Sequence, residues 1–88
     1  MKVYKIGGKT CHECETMRPR WVEIEKEMPE LKTEYYEVES HPEIIKKYHI
    51  MDIPAFLFLD DNGNELSRLI NIQTKERLIQ EINKWKNR

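Results

Sequence analysis

Apolar positions in this chain come in short blocks whose period changes along the sequence. Lys2-Val3-Tyr4-Lys5-Ile6 is rich in β-formers and stops at Gly7-Gly8, which predicts a short strand. After Cys11 the period lengthens. Met17, Trp21, Ile24 and Met28 recur at intervals of 4, 3 and 4, the spacing of one helix face. Pro19 lies inside that helix, where its ring and missing N–H cost about 3 kcal/mol in an ordinary interior. Pro29 closes the helix. Residues 31–39 alternate again, with Tyr36 and Val38 on one face and Thr33, Tyr35 and Glu37 on the other, so a second strand is expected. Ser40 with Glu43 fits a capping box, and His41-Pro42 fits an alternative start with proline at the first helical position. Either way a helix runs to about Tyr48, with Ile44, Ile45 and Tyr48 inward. Pro54 opens a third strand, Ala55 to Leu59. Its unbroken apolar run indicates burial on both faces, hence a central place. Asp60-Asp61-Asn62-Gly63 is a hairpin signal, with Glu65 to Ile70 as the return strand. Thr74 caps a last helix that presents Leu78, Ile82 and Trp85. Lys84, Lys86 and Arg88 suit its C-terminal dipole end, or read more plainly as a solvated basic terminus.

The order is β-α-β-α-β-β-α. The first two strands flank a helical crossover and should be parallel with a right-handed connection. The last two form an antiparallel hairpin. The expected fold class is therefore α/β, a mixed four-stranded sheet with helices on both faces. The 88 residues, below the ~100–150 of a usual domain, allow one domain, 1–88.

Composition narrows the function. Fifteen Lys and Arg against sixteen Asp and Glu leave a net charge of −1, which argues against a nucleic-acid partner. The longest apolar run, Ala55 to Leu59, is far short of the ~20 residues that span a membrane. No apolar stretch follows the charged start Met1-Lys2-Val3-Tyr4-Lys5, so no secretory signal is read and a cytoplasmic location is expected.

Both cysteines sit in Cys11-His12-Glu13-Cys14. A structural disulfide framework would scatter them, whereas two thiols two residues apart at a helix start point to redox chemistry or a soft metal. The thiolate is the attacking species in disulfide exchange, and a free cysteine with pKa about 8.5 is mostly thiol at neutral pH. The unpaired N–H groups and dipole of a helix N-terminus favour the anion. Cys11 lies at the junction of the Gly7-Gly8-Lys9-Thr10 turn and the helix, so it is read as the exposed nucleophile. Cys14, one turn on, is read as the resolving thiol. His12, when protonated, would stabilise the thiolate, and Glu13 would oppose it. Thr10 with Glu13 also fits a plain capping box, and His12 also fits a solvent-exposed loop residue.

These residues resemble the thioredoxin family, and the resemblance covers almost the whole chain. A strand, a glycine turn and Cys11-His12-Glu13-Cys14 lead into a helix, and Pro19 stands five residues after Cys14, like the family's kink proline. Tyr48 to Ala55, containing Ile53-Pro54, resembles the family's stretch with a cis proline, and Pro54 stands 43 residues after Cys11, close to the family's spacing. Phe56 to Ser67 resembles its hairpin. The resemblance implies a shortened thioredoxin-like fold with strand order 2-1-3-4 and residues 31–39 at the edge. It further implies a cis Pro54 beside the dithiol, and substrate contacts from Ile53, Pro54 and the region of Asn71, where the family has a glycine. Lys5 stands where the family has a buried aspartate, so Glu13, Lys5 or solvent would handle the Cys14 proton. Glutaredoxins share the shortened fold, but Asp52-Ile53-Pro54 and Ile70-Asn71-Ile72 replace the motifs of their glutathione pocket.

The function expected is thiol–disulfide exchange with protein disulfides, with the chain as reductant. Disulfide-bearing proteins and a reductase are the partners, and no cofactor or metal is expected beyond the Cys11–Cys14 pair. The alternative is a copper-binding module, since Gly8-Lys9-Thr10-Cys11-His12-Glu13-Cys14 also resembles the loop of copper chaperones. The second helix between strands two and three speaks against it. Lys32, Glu34, Glu37 and Glu39 guard the edge strand with charge, so a monomer is expected.

Overall fold

The computed structural model describes residues 1–86. Its elements are β1 (Lys2–Gly7), α1 (His12–Glu27), β2 (Lys32–Glu37), α2 (Pro42–Tyr48), β3 (Ala55–Leu59), β4 (Glu65–Ile70) and α3 (Lys75–Lys86). The sheet order is β2-β1-β3-β4. β1 runs parallel to β2 and antiparallel to β3, and β3 runs antiparallel to β4. This is the fold the sequence predicts. Of the basic C-terminal residues, Arg88 lies outside those described.

Alternation along β1 and β3 divides the core in two. Val3, Phe56 and Phe58 point to one face and pack with Met17, Trp21 and Ile24 of α1 and Leu78 and Ile82 of α3. Ile6, Ala55, Leu57 and Leu59 point to the other and pack with Tyr48 and Ile50, with Ile44 and Ile45 half-buried beside them. Every residue of β3 is buried, because both faces are covered. Each large side chain so buried contributes roughly 1.5–3 kcal/mol, so this five-residue strand holds a large share of the core.

Helix ends show where local rules apply. At α2, Pro42 takes the first helical position after His41, whose side chain makes no capping bond, so the Ser40–Glu43 box does not form. His49 ends α2 in the left-handed region, φ 51°. Thr74 caps α3 as expected, its hydroxyl accepting the Arg77 N–H at 3.0 Å. In the β3–β4 hairpin the Asp60 carboxylate accepts the N–H groups of Asn62 and Asn64, both at 2.9 Å, and Gly63 adopts φ +84°. At the far end of α3, Lys86 pairs with Glu30 at 3.0 Å.

One buried charge was not anticipated. Glu81 of α3 is only 4% exposed and faces β4. It accepts the Ser67 hydroxyl at 2.6 Å, Arg77 Nη1 at 2.8 Å and Trp85 Nε1 at 3.2 Å. The Ser67 bond, helped by Arg77 and Trp85, outweighs burial and holds the carboxyl below its ordinary 4.5. A lowered folded-state pKa gives stability that is present above the unfolded value and lost as pH falls through the folded one. Urea unfolding at pH 6 and pH 3 tests this. The wild type should lose more stability across that interval than Glu81→Gln, and equal losses would remove Glu81 from the acid response.

Candidate functional site

β1 leaves the sheet centre at Gly7 and Gly8, both buried. A Cβ on Gly7 would stand 2.8 Å from the Tyr35 phenol oxygen. The turn is held from the side by Glu39, whose two carboxylate oxygens accept the Lys9 N–H at 3.2 and 3.3 Å. Cys11 follows with extended backbone angles and is the N-cap of α1. Its Sγ accepts the Cys14 N–H at 3.2 Å. A cysteine therefore performs the capping usually given to Ser, Thr, Asp or Asn. Thr10 and Glu13 form no capping box and are exposed, as is His12.

Cys11 and Cys14 are joined by a disulfide, with Cα atoms 5.2 Å apart. Both residues are half-buried, so exposure alone does not separate their roles. Position does. Cys11 sits outside the first turn, where the free N–H groups converge, while Cys14 lies within the helix and lines a cleft behind it.

β3 brings the second half of the site. The Ile53–Pro54 peptide is cis and Pro54 is buried. A Cβ on Gly8 would lie 2.8 Å from Ile53 Cδ1 and 3.7 Å from Cys11 Cβ, so the segment before β3 abuts the dithiol turn. Asn71 donates its N–H to the Pro54 carbonyl at 2.8 Å and adopts φ 69°. Asparagine tolerates this left-handed conformation better than most residues, which suits it to a place where a glycine would also fit. The predicted residues Cys11, Cys14, Ile53, Pro54 and Asn71 thus gather at one end of the sheet, with Thr10, His12 and Glu13 on its exposed rim.

The cleft, of about 230 Å³, is lined by Cys14, Lys5, Glu25, Trp21, Tyr35 and Pro54 among others. Lys5 Nζ pairs with Glu25 Oε2 at 2.6 Å, and the Thr33 hydroxyl donates to the same oxygen at 2.9 Å. Both partners of the ion pair are partly sheltered, at 19% and 34% side-chain exposure. Trp21 Nε1 is buried without a partner. Burial, with Glu37 nearby, raises the Tyr35 phenol above 10.0. Glu25 was not singled out from the sequence, Thr33 was read only as a strand residue, and Glu39, read as a guard of the edge strand, lies beyond β2 and turns to the dithiol loop instead. A signal did exist for Glu25, which follows buried Trp21 by one helical turn. Lys5 carries one too, since it shares the inward phase of Val3 on β1.

The dithiol, the helix start and the cis-proline segment together form a site suited to thiol–disulfide exchange. A family model described as thioredoxin matches residues 4–84. Among curated relatives, the chain is 35% identical over 57 residues to human Glutaredoxin-3, covering 65% of this chain but spanning only 17% of that protein's length. It is 26% identical over 73 residues to a thioredoxin of Chlamydia caviae, covering 83% of this chain and 71% of the relative. Among solved structures, thioredoxin 1 of Thermosipho africanus superposes with a TM-score of 0.83 at 21% identity, over 99% of this chain and 96% of the other.

The pair in the cleft makes a prediction about stability. An ion pair this sheltered, with Thr33 as a further donor, is worth about 1 kcal/mol. In a double-mutant cycle of Lys5→Met and Glu25→Gln, urea unfolding should show coupling of that size. Strictly additive losses would mean that the two charges act separately.

Proposed function

The chain belongs to the thioredoxin family, and on that footing we propose that it is a thiol–disulfide oxidoreductase that reduces protein disulfides. One observation carries the reading: Cys11 caps α1 with its sulfur, within bonding reach of Cys14 and against the cis-proline segment. In the reduced chain the Cys11 thiolate attacks one sulfur of a substrate disulfide. A Cys11–substrate disulfide forms, and the first substrate sulfur leaves as a thiolate that takes up a proton. Cys14 then loses its proton and attacks Cys11 Sγ. The second substrate thiolate leaves and is protonated, and the chain ends as the Cys11–Cys14 disulfide. Two electrons have passed to the substrate, and a reductase restores them.

The surroundings suit each step. The helix N-terminus stabilises the Cys11 thiolate, and His12 adds to this when it carries a proton. Ile53, Pro54 and Asn71 border the place where the substrate chain lies. Cys14 opens on the cleft that holds the Lys5–Glu25 pair, so its proton leaves through water in the cleft toward Glu25. Glu25 therefore takes the part first considered for Glu13 and Lys5. We further propose that the chain acts as a monomer, with β2 as a charge-guarded edge strand. The soft-metal reading has no observation in its favour. α2 separates β2 from β3 where copper chaperones are expected to run straight into a hairpin.

Trapping distinguishes the two thiols. Cys14→Ser, reduced and mixed with disulfide-intact insulin, should accumulate a mixed disulfide linked through Cys11, while Cys11→Ser should accumulate none. The reverse pattern would invert the assigned roles, and failure of the wild type to reduce insulin disulfides would sink the proposed activity. The Cys11–Cys14 potential should lie between about −270 mV and about −180 mV. His12→Ala should make it more reducing, because a cation that favours the thiolate has been lost, and a shift the other way would refute that role.

A further inference from the structure

Gly8 marks a point where four segments meet. A Cβ placed on it would lie 2.8 Å from Ile53 Cδ1, 3.5 Å from Glu39 Oε2 and 3.7 Å from Cys11 Cβ. Glu39 reaches this point from the connection between β2 and α2 and accepts the Lys9 N–H through both oxygens. No Lys, Arg or His among the described residues forms an ion pair with Glu39, which is exposed, so its charge is met by solvent and by that one amide. The other charged or titratable groups in the segments around Cys11 are Lys9 in the turn, His12, Glu13 and Glu15 on α1, Glu37 and His41 on either side of Glu39, and Asp52 ahead of the cis bond. Lys5, Glu25 and Tyr35 lie in the cleft on the Cys14 side.

We propose that Glu39 is a positioning residue for the exchange reaction that holds the Cys11 turn in place and, through its negative charge beside Cys11, makes the dithiol a stronger reductant. The two roles use the same carboxylate. Its oxygens fix the Lys9 amide, and the turn so fixed keeps Cys11 at the tip of α1. The charge opposes the helix dipole and His12, which favour the thiolate. A carboxylate oxygen and Cys11 Cβ each lie within 3.7 Å of one point. The two atoms are therefore no more than about 7 Å apart, and with the screening of bulk water around an exposed carboxylate a unit charge at that distance changes a proton equilibrium about three-fold. The direction follows from the chemistry. With Cys11 as thiolate, forming the disulfide releases two electrons and the Cys14 thiol proton. Whatever destabilises the Cys11 thiolate therefore raises the drive toward the disulfide. Without Glu39 the reduced form would be better stabilised and the chain a weaker reductant.

This deepens the proposed reductase reading, and its test does not depend on turnover. Glu39→Gln keeps a carbonyl oxygen to accept the Lys9 N–H but removes the charge. Iodoacetamide alkylation of the reduced protein across pH reads the Cys11 midpoint, and equilibration with glutathione reads the dithiol–disulfide balance. Glu39→Gln should raise the Cys11 thiolate-to-thiol ratio about three-fold at a given pH. It should move the glutathione equilibrium toward the dithiol by a similar factor. Glu39→Asp, which keeps the charge, should stay near wild type in both. An unchanged midpoint in Glu39→Gln would overturn the electrostatic role, and so would equal shifts in the Gln and Asp variants, which would trace the effect to turn geometry alone. As a second check, 1 M salt should narrow the difference in Cys11 midpoint between wild type and Glu39→Gln, since it screens Glu39 in the one and finds no charge there in the other, and a difference undiminished by salt would count against the proposal. If these shifts appear but insulin is not reduced, the electrostatic assignment stands and the protein-disulfide reading falls.

Discussion

The antiparallel pairing of β1 with β3 is the constraint on which the site depends. Ile6 sits opposite Ala55, so the residue leading toward the glycine turn and the residue just after Pro54 are neighbours across the sheet. Cys11 and Pro54 are far apart in sequence, and no local rule joins them. A ladder of backbone bonds does so, and it is anchored by β3, which is buried throughout. A one-residue slip would send Phe56 and Phe58 to the α2 face and Leu57 to the α1 face. The two half-cores have different shapes, so the register is set by packing, and the distance between dithiol and cis proline is set with it.

This dependence explains what could be read in advance. The helices and strands were legible because their apolar residues repeat at 3.6 or 2, and periodicity is a local property. The crossover and the hairpin indicated the β1–β2 and β3–β4 pairs, and the resemblance supplied the order that joins them. The turn chemistry at Asn62-Gly63 and the Thr74 cap also involve only near neighbours. The resemblance supplied the cis proline and the pairing of two motifs across the chain. What was missed depends on contacts made in space. The Thr10–Glu13 and Ser40–Glu43 patterns both fit a capping box, yet Cys11 and His41 take the cap positions. A short pattern cannot say which of two adjacent residues leaves the helix. Glu25 meets Lys5 across 20 residues, Glu39 meets Lys9 across 30, and Glu81 meets Ser67 across a helix–sheet interface. In the sequence Glu25 and Glu81 read as solvated acids in a chain where 35% of residues are charged, and Glu39 as one more charge along an edge strand.

Several of those acids share a pattern. Glu25, Glu39 and Glu81 each lie beside a different part of the scaffold, and each accepts from a donor supplied by another element. In a domain this small the apolar core is thin, so charged side chains do part of the work of locking one element onto the next. Such locks are directional. They specify one arrangement of α1 on β1, of the dithiol turn on β2, and of α3 on β4, where apolar contact alone would tolerate sliding.

Cys11 gives the fold a further property. The sulfur that reacts is also the sulfur that caps α1 through the Cys14 amide. A hydrogen bond to a thiolate is stronger than one to a neutral sulfur. The first turn of α1 is therefore tied most firmly when the chain is loaded with electrons, and less firmly once that sulfur is shared with another. The occupancy of the reactive atom is written into the helix behind it, and the Cys14 amide, read by its rate of hydrogen exchange, becomes a gauge of whether the chain is charged or spent.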